Sequence, residues 1–156
     1  MLRLLSLTIL GLSVAGGLLG TTQGKTERIL ASFGYVIKKS DSAQPTAWEQ
    51  AQFQTLAKRV IEISSAKAVP RRPNTFYRFT VIEERYADAG SAGVRLSRLR
   101  ERQPDMSPED DKAFPLRRGF RYGELVYIVG TDVSMFEGEM NRIAKELEAA
   151  FRRRRD

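Results

Sequence analysis

The stretch that decides the fold is Phe114–Phe151, FPLRRGFRYGELVYIVGTDVSMFEGEMNRIAKELEAAF. Two runs rich in apolar and aromatic residues, Phe114–Tyr122 and Leu125–Val129, flank Gly123-Glu124. A two-residue connection with glycine first predicts a hairpin turn of the II′ kind. The period then changes from 2 to 3.6. Phe136, Met140, Ile143, Ala144, Leu147 and Phe151 fall on one face of a helix, and Ser134-x-x-Glu137 offers a capping box ahead of it. A hairpin followed by an amphipathic helix belongs to the α+β class.

Working outward toward the N-terminus, Tyr77, Phe79 and Val81 alternate with Arg78, Thr80 and Ile82, which predicts a strand. Asp88 is placed to cap a helix running to about Arg102, with Ala89, Ala92, Leu96 and Leu99 as its apolar side. Ser107-Pro108-Glu109 opens one more short turn. Pro70 and Pro73 bracket an arginine pair in what reads as an extended linker. Before it, Thr46-Ala47-Trp48-Glu49 is a capping box, and Phe53, Leu56, Ala57, Val60 and Ile61 follow at helical spacing, predicting a helix to Ser64–Lys67. Ser40–Pro45 reads as a loop, and Thr26–Lys39 as a short helix that yields, at Gly34, to a strand over Tyr35–Lys38. The expected architecture is an α+β two-layer sandwich: a small, mainly antiparallel sheet with helices on one face, preceded by a hydrophobic N-terminal helix. A ferredoxin-like arrangement is one topology that fits.

Leu4–Gly24 contains no charged residue and follows Arg3. Leu4–Leu12 forms an apolar core, and Ser13-Val14-Ala15 has the small-x-small pattern of a signal-peptidase site. The same run just reaches the ~20 residues that cross a bilayer, though four glycines interrupt it. Residues 1–24 are therefore expected to be a signal peptide or a single N-terminal anchor, 25–151 one domain, and 152–156 a basic tail. The expected location is the periplasm or the exterior, or the membrane through that one helix.

The chain holds no cysteine and no histidine, which removes disulfides, thiolate and imidazole catalysis and their metal sites. No cofactor or metal is expected. Arg3 and Arg152–Arg155 supply five of the seven net positive charges, leaving +2 for the rest. The basicity is concentrated in a tail, so nucleic acid is not the expected partner.

Three motifs depart from the chemistry they suggest. Asp132-x-Ser134 resembles the D-x-S-x-S metal site of von Willebrand A-type domains, but Phe136 stands at the second serine position. Ser64-Ser65-Ala66-Lys67 matches the S-x-x-K of penicillin-recognising enzymes without their further motifs. Asp105, Glu109, Asp110 and Asp111 lack the spacing and glycine of an EF-hand loop.

The strongest binding candidate combines Arg95, Arg98 and Arg102 on one helix stripe with Arg117, Arg118 and Arg121 among Phe120, Tyr122 and Tyr127. Such a guanidinium–aromatic surface suits carboxylate or phosphate groups. Arg152, Arg153, Arg154 and Arg155 could meet anionic lipid or another polyanion. The expected function is a non-enzymatic accessory or binding domain of the cell envelope, with a membrane or protein partner. The alternatives are a single-span subunit of a membrane complex, or a small hydrolase or lyase using Asp132, Glu83 or Glu84.

Overall fold

The computed structural model describes residues 17–101 and 114–153. Its elements are α1 (Gly17–Ser32), β1 (Tyr35–Ala43), α2 (Ala47–Phe53), β2 (Thr55–Val69), β3 (Arg72–Tyr86), α3 (Ala89–Glu101), β4 (Leu116–Tyr122), β5 (Leu125–Thr131), a short 3-10 turn (Ser134–Phe136) and α4 (Glu137–Arg152). The strands form one antiparallel sheet in the order β1-β2-β3-β5-β4. The chain is α+β, as expected.

Helices cover both faces of the sheet, which corrects the two-layer expectation. Neighbouring positions on β3 and β5 divide the core: Val81, Tyr127 and Val129 lie in a cluster with Ile29 and Leu30 of α1 and Met140, Ile143 and Leu147 of α4. Ile82, Val126 and Ile128 lie in another with Phe53 of α2 and Ala92 and Leu99 of α3. Strand side chains alternate between faces, so a sheet apolar on both sides needs cover on both.

The segment after Phe53 is a strand, not the predicted helix. Gln54 takes a left-handed conformation (φ 56°) while its N–H still bonds Gln50 O, and the chain leaves α2 there. The capping box itself forms: Thr46 Oγ1 accepts from Glu49 N at 3.1 Å and Glu49 Oε2 accepts from Thr46 N at 2.7 Å. β2 then pairs with β1 on one side and β3 on the other. The expected linker at Pro70–Pro73 is a tight turn at Pro70-Arg71 joining two 15-residue strands. Likewise, the expected loop after Lys39 is the outer half of β1, polar because it is a sheet edge facing water.

The C-terminal expectations fare better. Gly123 has φ 60° and Glu124 has a negative φ, consistent with a II′ turn. All six residues of the predicted α4 stripe are buried. The Ser134–Glu137 capping box does not form; a 3-10 turn stands there instead and lays Phe136 against the rings of Tyr77 (5.1 Å) and Phe79 (6.1 Å). Asp88 caps α3 through Ser91 N at 2.8 Å, though Ala89 is exposed. The expected turn at Ser107-Pro108-Glu109, Leu4–Leu12 and Ser13-Val14-Ala15 lie outside the described residues. α1 is continuous from Gly17 to Ser32 and so runs through the expected boundary at residue 24. Among the described residues no helix is long and apolar enough to cross a membrane.

The Gln54 conformation generates a test of the α2–β2 break. Left-handed backbone costs a side-chain-bearing residue roughly 1 kcal/mol relative to glycine. Gln54→Gly should therefore raise stability by about 0.5–1 kcal/mol, read as a higher urea midpoint.

Candidate anion-binding surface

The two central strands carry charges that oppose one another in register. Arg59 stands opposite Glu83, and Lys58 opposite Glu84. The first pair lies beneath α1. Arg59 Nε donates to Glu83 Oε2 at 2.7 Å, Arg59 Nη1 reaches Glu27 Oε1 at 3.3 Å, and Thr26 Oγ1 donates to Glu83 Oε1. The second pair lies on the α2–α3 side. Lys58 Nζ bonds Glu49 Oε1 at 2.9 Å. Glu84 takes Arg95 Nε at 3.0 Å, Arg95 Nη2 at 3.3 Å and the Tyr86 hydroxyl at 2.6 Å. The Arg95 guanidinium also sits 5.6 Å from the centre of the Phe53 ring.

These contacts decide what the buried acids can do. Burial pushes the Glu83 carboxyl up, while Thr26 and Arg59 pull it back. Burial also works against ionised Glu49, yet the Thr46 amide and Lys58 outweigh it and hold Glu49 below the usual range. Burial raises the Tyr86 and Tyr127 hydroxyls far above their ordinary range. Glu83 and Glu84 point to opposite faces of the sheet, each into an ion pair, and Asp132 is exposed at the end of β5. The three acids named as acid–base candidates are thus not brought together. Among the described residues no cluster of three or more acidic groups is arranged to hold a metal ion. Ser64 and Lys67 lie on β2 rather than on a helix, and Ser65 Oγ is taken up by Lys67 O (2.7 Å) and Tyr77 N (3.0 Å).

The predicted arginine–aromatic surface is divided between the two sides of the sheet. On β4, Leu116, Phe120 and Tyr122 pack toward α4, and Gly119 between them faces α3, where a Cβ would meet Leu99 at 3.1 Å and Leu96 at 3.2 Å. Phe120 stacks on Tyr127 with centroids 5.0 Å apart, and Tyr127 packs on Phe151 at 4.6 Å; both Phe120 and Tyr127 are core. Tyr122 is half-buried between Phe151 and the Lys25 ammonium. Arg95 is buried in its ion pair, and Arg121 Nη1 donates to Ala89 O and Gly123 O, each at 3.2 Å. Arg98 is half-buried on α3. Arg102 and the acidic group Asp105, Glu109, Asp110 and Asp111 lie outside the described residues.

A cavity of about 250 Å³ is bordered by Leu99, Arg100, Arg117, Arg118 and Gly119; Arg117 and Gly119 stand on the α3 face of β4, and Arg118, opposite Val129, on the other. Arg117 Nη1 is oriented by Phe114 O at 3.2 Å. Among the described residues neither Arg100 nor Arg118 has a carboxylate partner. Sequence reasoning missed Arg100 because it lies off the 95–98–102 stripe. Its signal was the neighbouring Leu99, whose burial turns the next residue toward the β4 edge. A larger groove of about 320 Å³ lies on the uncovered part of the α3 side of the sheet, bordered by Lys38, Glu62, Arg78 and Asp132. Of the tail, Arg152 pairs with Glu148 at 2.7 Å and Arg153 is exposed; Arg154 and Arg155 lie outside the described residues.

Compared with known proteins, the chain matches no family model, no curated protein and no solved structure.

The central ion pairs give an asymmetric expectation. Arg59→Met leaves Glu83 buried without its cation and should cost about 3–5 kcal/mol, whereas the double variant Arg59→Met/Glu83→Leu should recover most of that. Urea denaturation of the two variants beside the parent chain checks both values.

Proposed function

We propose that this chain is a non-enzymatic accessory domain of the cell envelope, exported or membrane-anchored, that binds an anionic partner. The observation that carries the reading is that Arg100, Arg117 and Arg118 all border one cleft at the β4 edge. Planar guanidinium groups with five donors each match carboxylate and phosphate oxygens two at a time.

The use of the buried acids supports the non-enzymatic part. Glu49, Glu83 and Glu84 each face a cation at hydrogen-bond distance, and none of them borders either of the two cavities described. General acid–base work calls for a carboxyl group within reach of a substrate proton. The exposed large apolar residues Val36, Trp48, Leu56, Phe76, Val94 and Met135 are spread over several elements rather than gathered in one patch, which favours a binding domain over a tightly packed subunit. Export rests on the uncharged run Leu4–Gly24 and the small-x-small triplet ending at Ala15.

Isothermal titration of the chain with citrate and with pyrophosphate tests the cleft. Binding should weaken as sodium chloride rises from about 20 to 200 mM, because the contacts are charge-assisted and partly exposed. Arg100→Ala/Arg118→Ala should lose roughly ten- to a hundredfold in affinity. Equal affinity in parent and variant would remove the cleft from the function.

Intact mass of the native protein, taken separately from membrane and soluble exported fractions, tests the address. A soluble species lacking about the first 15 residues is the expected result for a cleaved signal peptide. Full-length chain confined to the membrane fraction would mean an anchor.

A further inference from the structure

The longest feature of the fold takes no part in the cleft. β2 and β3 outrun their neighbours: β1 stops pairing at Tyr35–Ser65, and β5 stops at Thr80–Gly130. Beyond those points the two strands continue alone to the Pro70-Arg71 turn, a two-stranded arm reaching about 15 Å past the sheet. The arm is braced up to its tip rather than loose. Val69 is buried, Tyr77 packs edge-on against Phe136, and Arg72 Nη1 lies 3.7 Å from Met135 Sδ.

Its charge is one-sided. From Ile63 to Ile82 the chain has Lys67, Arg71, Arg72 and Arg78 and not one acidic residue. Among the described residues none of these four cations is paired with a carboxylate. Phe76 stands out between them with 41% of its surface exposed. Arg71 holds a left-handed conformation (φ 64°) at the turn, where glycine or asparagine would be favoured. A charged, flexible side chain therefore occupies the tip against the preference of the backbone, and such positions gather at functional sites.

We infer that this arm is a docking surface for an acidic stretch of another polypeptide that crosses its tip, its carboxylates meeting Arg71 and Arg72 at the turn and Arg78 on the α3 side, where an apolar side chain lies on Phe76. Two observations favour a polypeptide over other polyanions. Glu62 and Asp132 border Arg78 in the adjoining groove, so a chain with a phosphate at every residue would be repelled there. An acidic peptide can turn a neutral side chain toward them. A bilayer fits poorly for a different reason. α1 joins β1 at the base of the arm, where Ala66 N bonds Gly34 O, and runs back to Lys25, which lies over the Tyr122 and Phe151 rings at the far end of the sheet. The arm tip and Lys25 are thus at opposite ends, about 40 Å apart along β3.

The inference stands apart from the arginine cleft, and one set of variants separates the two. The probe is a fluorescein-labelled peptide alternating glutamate and serine about one central phenylalanine, followed by anisotropy on the full chain at about 20 mM salt. Arg71→Gly/Arg72→Ser removes two charges while giving the turn the residue its backbone favours, so the variant should fold. We expect that variant to bind the peptide at least tenfold more weakly, Phe76→Ala to weaken it several-fold, and Arg100→Ala/Arg118→Ala to leave it unchanged. No binding by the parent chain, or equal binding by the arm variant, overturns the inference. So does arm-dependent binding of a 20-base-pair duplex or of phosphatidylglycerol vesicles that is tighter than binding of the peptide. Loss of citrate binding only in the cleft variant, with peptide binding intact, keeps the two sites distinct.

Discussion

Two dipeptides facing each other across the middle of the sheet, Lys58-Arg59 on β2 and Glu83-Glu84 on β3, govern how everything else is placed. Consecutive strand residues point to opposite faces, so each dipeptide puts one charge on each side. A slip of one residue would exchange faces and set buried cations against the wrong partners, leaving charges desolvated and uncompensated. Each charge also reaches beyond its own sheet. Arg59 and Glu83 hold α1 through Glu27 and Thr26; Lys58 holds α2 through Glu49; Glu84 holds α3 through Arg95. Register, and the seats of three of the four helices, are set by the same four residues.

That arrangement says little about net stability, because a buried ion pair returns roughly what its desolvation takes away. The favourable free energy comes from the apolar clusters on either side of the charges: Ile61, Val81, Val129 and Leu147 on one face, and Phe53, Ile82, Val126 and Leu99 on the other. The ion pairs instead select which of several compact pairings is adopted. They also have a consequence at the surface. Three carboxylates are drawn into the interior, each with a cation, so they neutralise nothing outside. The three buried cations cancel them there, so the surface keeps the chain's whole basic excess, most of it in Arg152–Arg155, while among the described residues cations without a carboxylate partner remain at the β4 edge and on the β2–β3 arm.

Elements whose signal is local were legible in the sequence. The β4–β5 turn needs only Gly123, α4 announces itself by six apolar residues at helical spacing, and the Thr46–Glu49 and Asp88 caps are satisfied within four residues. β2 was misread for a reason that the ion pairs supply. Its inward positions include Lys58 and Arg59, which a pattern search scores as outward, and the remaining Phe53, Leu56, Ala57, Val60 and Ile61 then imitate a helix. The second helical layer was missed because the inward stripe of α3 is narrow, with Arg95 among Ala92 and Leu99. The predicted arginine–aromatic patch fell apart on a rule that was already visible. Phe120 and Tyr122 on β4 alternate with Arg117, Gly119 and Arg121, so those two arginines had to part from the rings, leaving only Arg118 on the ring face. Arg100 and the arm required knowledge of neighbours that no local window holds.

The α1 segment shows how this reading of charge bears on maturation. Thr26, Ile29 and Leu30 are buried, and Thr26 and Glu27 complete the hydrogen bonding of Glu83 and Arg59. A chain cut after Ala15 keeps the whole of α1, with ten residues, Gly16–Lys25, ahead of Thr26. A chain cut at residue 24 would instead place Thr26 in the fraying first turn, where amide groups lack intrahelical partners. Glu83 would then lose the donor that helps offset its burial, and the Ile61–Val81–Val129 surface would lose part of its cover. The ion pair under α1 thus sets a physical limit on where the domain can begin, and the small-x-small triplet at Ser13–Ala15 lies on the permitted side of it.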